Sequence, residues 1–412
     1  AYLEGQLDVD RLVKALGLLV AESDAMRLVP HEDGTQSLLN TCELPVEQCD
    51  PGSDIDLHVA VDAWWTRKLR QPFAWDGKPP WRFGILRGGT DQHAVVMQYH
   101  HLVMDGWGTA RLIQRWSELY NLLLSADEVA ATSAASYCSF VEDSTTYRTS
   151  PAFQKDGEYW LAQMPILSPP LVDRARSSTG QGLPDACMGQ VSIPTVDYGR
   201  LTSCAAQHNS TAFNYFLAAM VVYFARTTQQ QNIVVGIPSL NRGGRRYRDT
   251  LGMFVGVFPV SVSVHPGMTV DALLGSIGLI MRGALRHARY PLSEMARALQ
   301  VMRHGRDGLF DVLLSFERQD YDVTFGDARM AESRQLFCGK ARYPLSVTVC
   351  EFQQDQDLEM VLEGSSACFE PTEITLLGLR LWQLVLRMMA SPLAPLDSLS
   401  LLTESQLIQV QG

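Results

Sequence analysis

The feature that most constrains how this chain folds is the stretch 94–108, AVVMQYHHLVMDGWG. Residues 94–99 are mostly apolar and β-branched, which predicts a buried strand. His100 and His101 come directly after it, and residues 109–124 then repeat apolar side chains at the period of an α-helix. The two histidines are therefore predicted to lie where a core strand passes into a helix, a rigid setting that suits a catalytic group.

The residue types in this stretch indicate proton-transfer chemistry. Histidine titrates near neutral pH, so it can accept a proton from an amine or a hydroxyl. Successive strand side chains point to opposite faces, so we expect one of His100 and His101 to face a cavity and the other to pack inside. Asp105 and Gly106 have the chemistry of a tight turn. We expect the Asp105 carboxylate to hold this turn through backbone amides and an arginine, and not to act as a nucleophile.

Two other interpretations of the histidines remain open at this point. A histidine at a strand end is often a core residue whose polar atoms are satisfied internally. Metal binding is the second interpretation, but adjacent histidines on a strand diverge, and no cysteine or glutamate lies at ligand spacing. We therefore expect no metal.

Composition narrows the class of protein. With 412 residues, 46% hydrophobic and 19% charged, the chain can bury a large core arranged as two lobes. A net charge of −11 argues against nucleic acid and against an anionic membrane surface as partners. The sequence has neither an apolar run long enough for a membrane span nor a signal peptide. Eight cysteines without a CxxC pair are typical of reduced thiols, so we expect a cytoplasmic protein. Separately, we expect the chain to be monomeric as an excised domain.

A segment rich in proline, serine and glycine predicts the division into lobes. This linker, 171–187, separates an N-terminal lobe at 1–170, which carries the histidines, from a C-terminal lobe at 188–412. Near the end of the chain, residues 373–389 predict a helix whose N-cap is Thr372.

The pattern His-His-x-x-x-Asp-Gly at 100–106 resembles the signature of the condensation domains of nonribosomal peptide synthetases, which belong to the chloramphenicol acetyltransferase-like acyltransferases. Further segments resemble family motifs in the expected order, namely 71–87, 137–141, 157–164, 251–260 and 289–291. The family's first motif and its Arg-Asn-Pro-Leu motif are absent, and we expect the chain to be an excised piece of a larger protein. The resemblance implies an α/β fold of two chloramphenicol acetyltransferase-like lobes in a V-shape. Each lobe would have a mostly antiparallel or mixed sheet flanked by helices, with an active-site tunnel between the lobes.

The resemblance also implies the reaction. Condensation domains join an acyl thioester donor to the amine of an aminoacyl group on a carrier protein, which gives an amide. No intrinsic cofactor is implied, because the substrates are held on the 4′-phosphopantetheine of a carrier protein or, for the donor, of coenzyme A. The implied partners are therefore peptidyl or acyl carrier proteins and neighbouring synthetase domains.

The same resemblance assigns roles within the motif. We expect His101 to accept or orient the amine proton, and His100 to be packed and less sensitive to substitution. The family pairs the motif aspartate with an arginine, so Arg242 is the candidate partner of Asp105, although Arg242 could instead lie in a solvated loop. Backbone amides near Gly106 are candidates for stabilising the oxyanion.

Four further residues are candidates for contacts with substrate. Trp107 and Gly108 stand where the family commonly has Trp-Ser. Ser315 lies in a predicted strand where family members often direct a polar side chain toward the tunnel, although a hydroxyl bonded to backbone is the alternative. Gly256 stands where asparagine is common, in a segment expected to bridge the lobes or, alternatively, to be a plain core strand.

The subclass is predicted from two segments. SFERQDYD at 315–322 and NRGG…GMFVG, with NRGG at 241–244 and GMFVG at 252–256, look most like starter condensation domains, which attach a fatty acyl group to the first amino acid of a lipopeptide. An elongation domain with a peptidyl or aminoacyl donor is the alternative. Epimerisation and heterocyclisation domains are disfavoured because their extra glutamate and Asp-rich motifs are absent from the sequence. A non-catalytic domain that recruits other enzymes and a free-standing ester-forming acyltransferase both remain open.

Overall fold

The structure is a computed structural model that describes residues 1–52, 54–125, 134–164, 167–172, 183–319, 321–351 and 356–411. Most of the predicted linker at 171–187 lies outside the described residues, because 173–182 are not among them. Across these ranges, no helix combines the length and the apolar character that a membrane span requires.

Helices and strands alternate along the described residues. The helices are α1 (Val9–Glu22), α2 (Leu57–Leu69), α3 (Gly106–Ser125), α4 (Tyr137–Arg148), α5 (Pro151–Gln163), α6 (Thr195–Gln207), α7 (Ala212–Thr228), α8 (Val270–Arg286), α9 (Leu292–Ala298), α10 (Pro371–Ala390) and α11 (Glu404–Gln411). The strands are β1 (Tyr2–Glu4), β2 (Leu28–Pro30), β3 (Gln36–Leu38), β4 (Val46–Cys49), β5 (Trp81–Arg87), β6 (Gln92–Tyr99), β7 (Ala186–Ile193), β8 (Asn232–Ser239), β9 (Gly256–Ser263), β10 (Val312–Arg318), β11 (Thr324–Phe325), β12 (Ala328–Glu332), β13 (Leu345–Glu351) and β14 (Leu358–Ser365).

Most of the strands form two six-stranded sheets. The first has the order β11-β12-β1-β6-β5-β4, in which β4 and β5 run parallel and the other neighbours antiparallel. The second has the order β7-β14-β13-β10-β8-β9, in which β10 runs parallel to both β13 and β8. Both sheets are therefore mixed and packed against helices, which confirms the predicted α/β class.

Two compact units divide the chain, and their bounds differ from the predicted lobes at 1–170 and 188–412. The first unit comprises Ala1–Thr149, Arg242–Val255 and Gln319–Cys338, and the second comprises Ser150–Asn241, Gly256–Arg318 and Gly339–Gly412. The prediction assumed two continuous segments, whereas two later segments belong to the first unit. The physical reason is strand pairing, because β12 hydrogen-bonds to β1 and so extends the first sheet from late in the sequence.

The first unit holds α3 in place through the packing of α1 against it. Asp8 caps α1 as an N-cap residue, with its carboxylate accepting the Arg11 N–H at 3.0 Å. Trp116 of α3 is 1% exposed, and its indole N–H donates to the Leu12 carbonyl at 2.9 Å. Because α3 starts at the histidine motif, this packing fixes the direction in which the motif leaves the sheet.

The last long helix begins earlier than predicted. α10 starts at Pro371, and its N-cap is Glu370, not Thr372. The Glu370 backbone N–H donates to the Glu373 carboxylate at 2.9 Å in a capping box. N–H groups in the first turn of a helix have no partner within the helix, and proline has no N–H to satisfy. Pro371 is therefore favourable as the first helical residue, and the helix begins two residues before the predicted start at 373.

Candidate active site at the histidine turn

The two histidines lie in a turn and not on the strand. β6 ends at Tyr99, after which the His100 N–H donates to the Pro80 carbonyl at 2.8 Å. The His100 carbonyl in turn accepts the Val103 N–H at 3.1 Å, and both histidine side chains are exposed. The prediction that His100 is packed inside is wrong, because strand alternation stops at Tyr99, before either histidine.

Two neighbours restrain the ring of His100. The Leu102 backbone N–H donates to its Nδ1 at 3.1 Å, and the Trp75 ring meets it edge-on with 5.7 Å between ring centroids. Partial burial, followed by the adjacent His101, lowers the pKa of His100. The neighbouring His101 side chain is exposed, so a reactant can reach its imidazole.

The Asp105 carboxylate is fully buried and satisfied by four N–H donors. Its Oδ1 accepts the Gly108 N–H at 2.7 Å and Nη2 of Arg242 at 2.8 Å. Its Oδ2 accepts the N–H groups of Phe254 at 2.9 Å and Val255 at 3.2 Å. Asp105 therefore fastens the turn to the 242–255 segment, and a carboxylate occupied in this way is not available as a nucleophile.

Arg242 is the predicted partner of Asp105, and the ion pair is present in the structure. The Arg242 side chain is 5% exposed, and its Nη1 donates to the carbonyls of Tyr247 at 3.1 Å and Thr250 at 2.5 Å. Its guanidinium lies 4.1 Å from the Phe254 ring centroid. Burial lowers the pKa of Arg242, and the Asp105 charge opposes that shift. The alternative of a solvated Arg242 is therefore wrong.

The helix after the motif starts at Gly106, three residues earlier than the apolar periodicity indicates. The side chain of Asp105 accepts the Gly108 N–H, and its carbonyl accepts the Thr109 N–H at 2.9 Å, as an N-cap residue does. This leaves the N–H groups of Gly106 and Trp107 as first-turn donors that have no partner within the helix.

Gly252, in the 242–255 segment, packs closely against the Tyr137 ring. Its φ is +146°, a value that favours glycine, and a Cβ there would lie 2.3 Å from the Tyr137 ring. Its carbonyl also accepts the Asp105 N–H at 3.3 Å. We expect Gly252→Ala to destabilise the protein by about 1–3 kcal/mol, because the ring or the loop must move. Thermal unfolding followed by circular dichroism measures the change.

Gly199→Ala is the matched control for that substitution. Gly199 lies inside α6, is exposed, and a Cβ there would meet nothing within 4 Å. Because alanine is favoured over glycine in a helix by about 1 kcal/mol, this variant should be slightly stabilised. If the Gly252→Ala variant were as stable as the wild type, a Cβ at position 252 would not clash with the Tyr137 ring as we expect.

Tyr137 supports the same loop from α4. Its hydroxyl donates to the Met253 carbonyl at 2.7 Å. Burial, followed by the Asp105 charge, raises the pKa of Tyr137 to about 12, so the hydroxyl stays protonated and keeps donating at neutral pH.

Trp107 and Gly108 both contact the 242–255 segment. The Trp107 indole N–H donates to the Arg248 carbonyl at 2.9 Å. Gly108 is buried, and a Cβ there would lie 2.6 Å from the Met104 sulfur and 3.2 Å from the Gly252 carbonyl oxygen. The small residue at 108 therefore lets α3 approach the loop closely.

Ser315 and Gly256 belong to the second unit, whereas the histidine turn belongs to the first. Ser315 is half-buried on β10 and pairs with Thr348 of β13. Gly256 opens β9, and a Cβ there would meet a single atom, the Ala288 carbonyl oxygen at 3.8 Å. A Cβ at position 256 would therefore fit without a clash.

Sequence reasoning predicted that backbone amides hold Asp105, but it did not identify which residues supply them. The N–H groups of Phe254 and Val255, and the close approach of Gly252 to Tyr137, were not anticipated, because 251–260 looked like one continuous strand. The signal was present: the segment contains two glycines, and a buried carboxylate needs more donors than one arginine provides. Among the described residues, no group of three or more histidines, cysteines or acidic residues could hold a metal ion.

Two mixed sheets flanked by helices are consistent with the fold of the chloramphenicol acetyltransferase-like class. The family model of the condensation domain matches residues 1–409. The chain therefore belongs to the condensation domain family, whose members form amide bonds by acyl transfer.

Curated relatives are large multidomain synthetases. Tyrocidine synthase 3 from Brevibacillus parabrevis is 24% identical over 98% of this chain, which corresponds to 6% of that protein. A dimodular nonribosomal peptide synthase from Bacillus subtilis (strain 168) is 23% identical over 93% of this chain and 16% of its own length. The chain thus spans less than a fifth of these relatives.

Solved structures show the same fold. The first condensation domain of the calcium-dependent antibiotic synthetase, in complex with a substrate analogue, has a TM-score of 0.84 and 22% identity, and the match covers 98% of this chain and 92% of that one. A variant of the starter condensation domain of rhizomide synthetase, in complex with C8-CoA and Leu-SNAC, has a TM-score of 0.81 and 23% identity, with 97% and 90% covered.

Proposed function

We propose that this chain catalyses amide bond formation between an acyl thioester and the amine of an aminoacyl group on a carrier protein, within a nonribosomal peptide synthetase. The observation that carries the proposal is the exposed His101 on a turn that the buried Asp105–Arg242 pair fixes. A catalytic imidazole must be accessible and carried on a rigid backbone, and the exposed His101 on this anchored turn supports that role.

Two physical effects supply the rate in this proposal. A thioester carbonyl is already activated, so holding it in line with a neutral amine can contribute about 7–11 kcal/mol through the entropy of association. His101 then accepts or orients the amine proton as the N–C bond forms, which typically contributes about 10²–10⁴-fold. When the tetrahedral intermediate collapses, the C–S bond of the donor breaks and the departing thiolate takes up the proton that the amine lost.

The oxyanion of that intermediate needs hydrogen-bond donors. We assign this role to the first-turn N–H groups of Gly106 and Trp107, which have no partner within α3. The positive end of the helix dipole at this terminus favours the developing negative charge. The other proposed substrate contacts are Gly108, Ser315 and Gly256.

For the donor, we propose a fatty acyl group on coenzyme A or on an acyl carrier, as in a starter condensation domain. The support is the likeness of the segments 315–322, 241–244 and 252–256 to that subclass, together with a fold neighbour solved in complex with C8-CoA. The space beside Gly256 is consistent with an acyl donor, because the asparagine common at this position is replaced by a residue without a side chain.

A donor competition assay tests this proposal. The protein is mixed with an aminoacyl-carrier acceptor and, in parallel, with an eight-carbon acyl-CoA, the same acyl group on an acyl carrier, or a peptidyl carrier. Mass spectrometry of the intact acceptor should show N-acylation from the first two donors. Product from the peptidyl carrier alone would replace the starter assignment by an elongation domain.

The assay also separates the remaining alternatives. Absence of product with every donor would overturn the catalytic proposal and favour a domain that recruits other enzymes. Product with a free alcohol, in the absence of any carrier protein, would identify an ester-forming acyltransferase instead. The His101→Ala protein serves as the background control in each reaction.

A further inference from the structure

We propose that Trp75 is a positioning residue that holds His100 as a neutral imidazole with its proton on Nε2, so that His101 alone carries the proton in the reaction. The role of His101 in the reaction rests on the proposed function. The protonation state and tautomer of the His100 ring are independent of that function, because they follow from the contacts of the folded chain.

The first step is the tautomer of His100. A backbone N–H can only donate, so the bond from the Leu102 N–H to Nδ1 of His100 at 3.1 Å requires an unprotonated Nδ1. The neutral ring must then carry its proton on Nε2. A second proton on Nδ1 would point at the Leu102 N–H, so this bond also disfavours the charged imidazolium.

The second step is the placement of Trp75. This residue lies in the 71–80 segment, which Arg82 anchors from β5. The Arg82 guanidinium lies 4.6 Å from the Phe73 ring centroid, and Arg82 Nη2 donates to the carbonyls of Gln71 and Lys68, the latter at 3.2 Å. With its segment held in this way, the Trp75 ring keeps its edge contact with His100 although it is 43% exposed.

The third step is electrostatic. His101 is the neighbouring charge that lowers the pKa of the His100 ring. The segment that packs against the ring also carries two exposed residues of opposite charge, Asp76 and Lys78. Partial burial and His101 both lower the pKa of His100. If His100 were protonated, repulsion between adjacent rings would weaken the affinity of His101 for the amine proton. A neutral His100 therefore adds no positive charge beside the proton that His101 accepts.

The test observes the ring nitrogens directly. In protein labelled with ¹⁵N-histidine, with His100 assigned by its loss in His100→Gln, long-range ¹H–¹⁵N correlation spectra distinguish protonated from unprotonated ring nitrogens. In the wild type we expect the Nε2–H tautomer for His100 and a pKa of this ring below the ordinary histidine value. In Trp75→Ala the pKa of His100 should rise toward 6.5 and the single-tautomer signature should be lost, whereas Trp75→Phe should retain both.

Two outcomes overturn the inference: an Nδ1–H tautomer in the wild type, or an unchanged titration of His100 in Trp75→Ala. The exposed His265 is the internal control in the same spectra. Its signals should be the same in the wild type and in the Trp75 variants at each pH. Since the Trp75→Phe protein keeps an aromatic ring, it remains informative if Trp75→Ala does not fold. The spectra need no substrate, so failure of the proposed reaction would be seen separately, as an absence of amide product.

Discussion

His101→Ala is expected to slow amide formation by roughly 10²–10⁴-fold while leaving the melting temperature unchanged. The rate falls because the amine proton loses the group that accepts or orients it. The stability holds because the His101 side chain is exposed, and truncating an exposed side chain alters stability by little. Single-turnover product formation, followed by mass spectrometry, and thermal unfolding measure the two quantities.

His265→Ala is the matched control, since His265 is another exposed histidine in a loop, in the second unit. It should turn over at the wild-type rate. If His101→Ala also formed amide at close to the wild-type rate, His101 would not be the proton acceptor. A loss of activity accompanied by unfolding would instead mean that His101 has a structural role.

Asp105→Ala is expected to cost about 3–5 kcal/mol of unfolding free energy and to reduce activity as well. The substitution strands the buried Arg242 charge and three backbone N–H groups, those of Gly108, Phe254 and Val255, which lose their acceptor together. The turn that carries His101 then loses its attachment to the 242–255 segment. Chemical denaturation gives the free energy, and the condensation assay gives the activity.

Two further variants test that explanation. Arg242→Met should cost less than Asp105→Ala, because the carboxylate keeps its three backbone donors. Asp62→Ala removes an exposed ion pair with Arg334 in the same unit, and should cost about 0–1 kcal/mol. Loss of activity in Asp105→Ala with an unchanged unfolding free energy would contradict the structural role of Asp105.

The strand, turn and helix of the motif could be predicted from the sequence because these elements are adjacent in the chain. The strand before the histidines, the turn at Asp105 and the helix after it each leave a local pattern, and the structure contains all three as β6, the turn and α3. The pairing of Asp105 with Arg242 spans 137 residues, and no periodicity indicates it. It was predicted because the family resemblance supplied the partner.

Other features could not be predicted because they depend on where elements end. Strand alternation would have placed His100 and His101 on opposite faces, but β6 stops at Tyr99 and the rule does not apply beyond it. Similarly, the apolar periodicity of α3 does not indicate its first turn. That turn begins at Gly106 because the Asp105 carboxylate accepts the Gly108 N–H and so caps the helix.

The sequence by itself determined the family, the mixed α/β class and the residue types that act at the turn, since these follow from local patterns of side chains. Tertiary structure alone decided that β12 completes the first sheet, that the backbone of Phe254 and Val255 satisfies Asp105, and that Trp75 contacts His100. These contacts join residues far apart in the chain, and backbone N–H groups, which most residue types carry alike, leave no signature in the sequence.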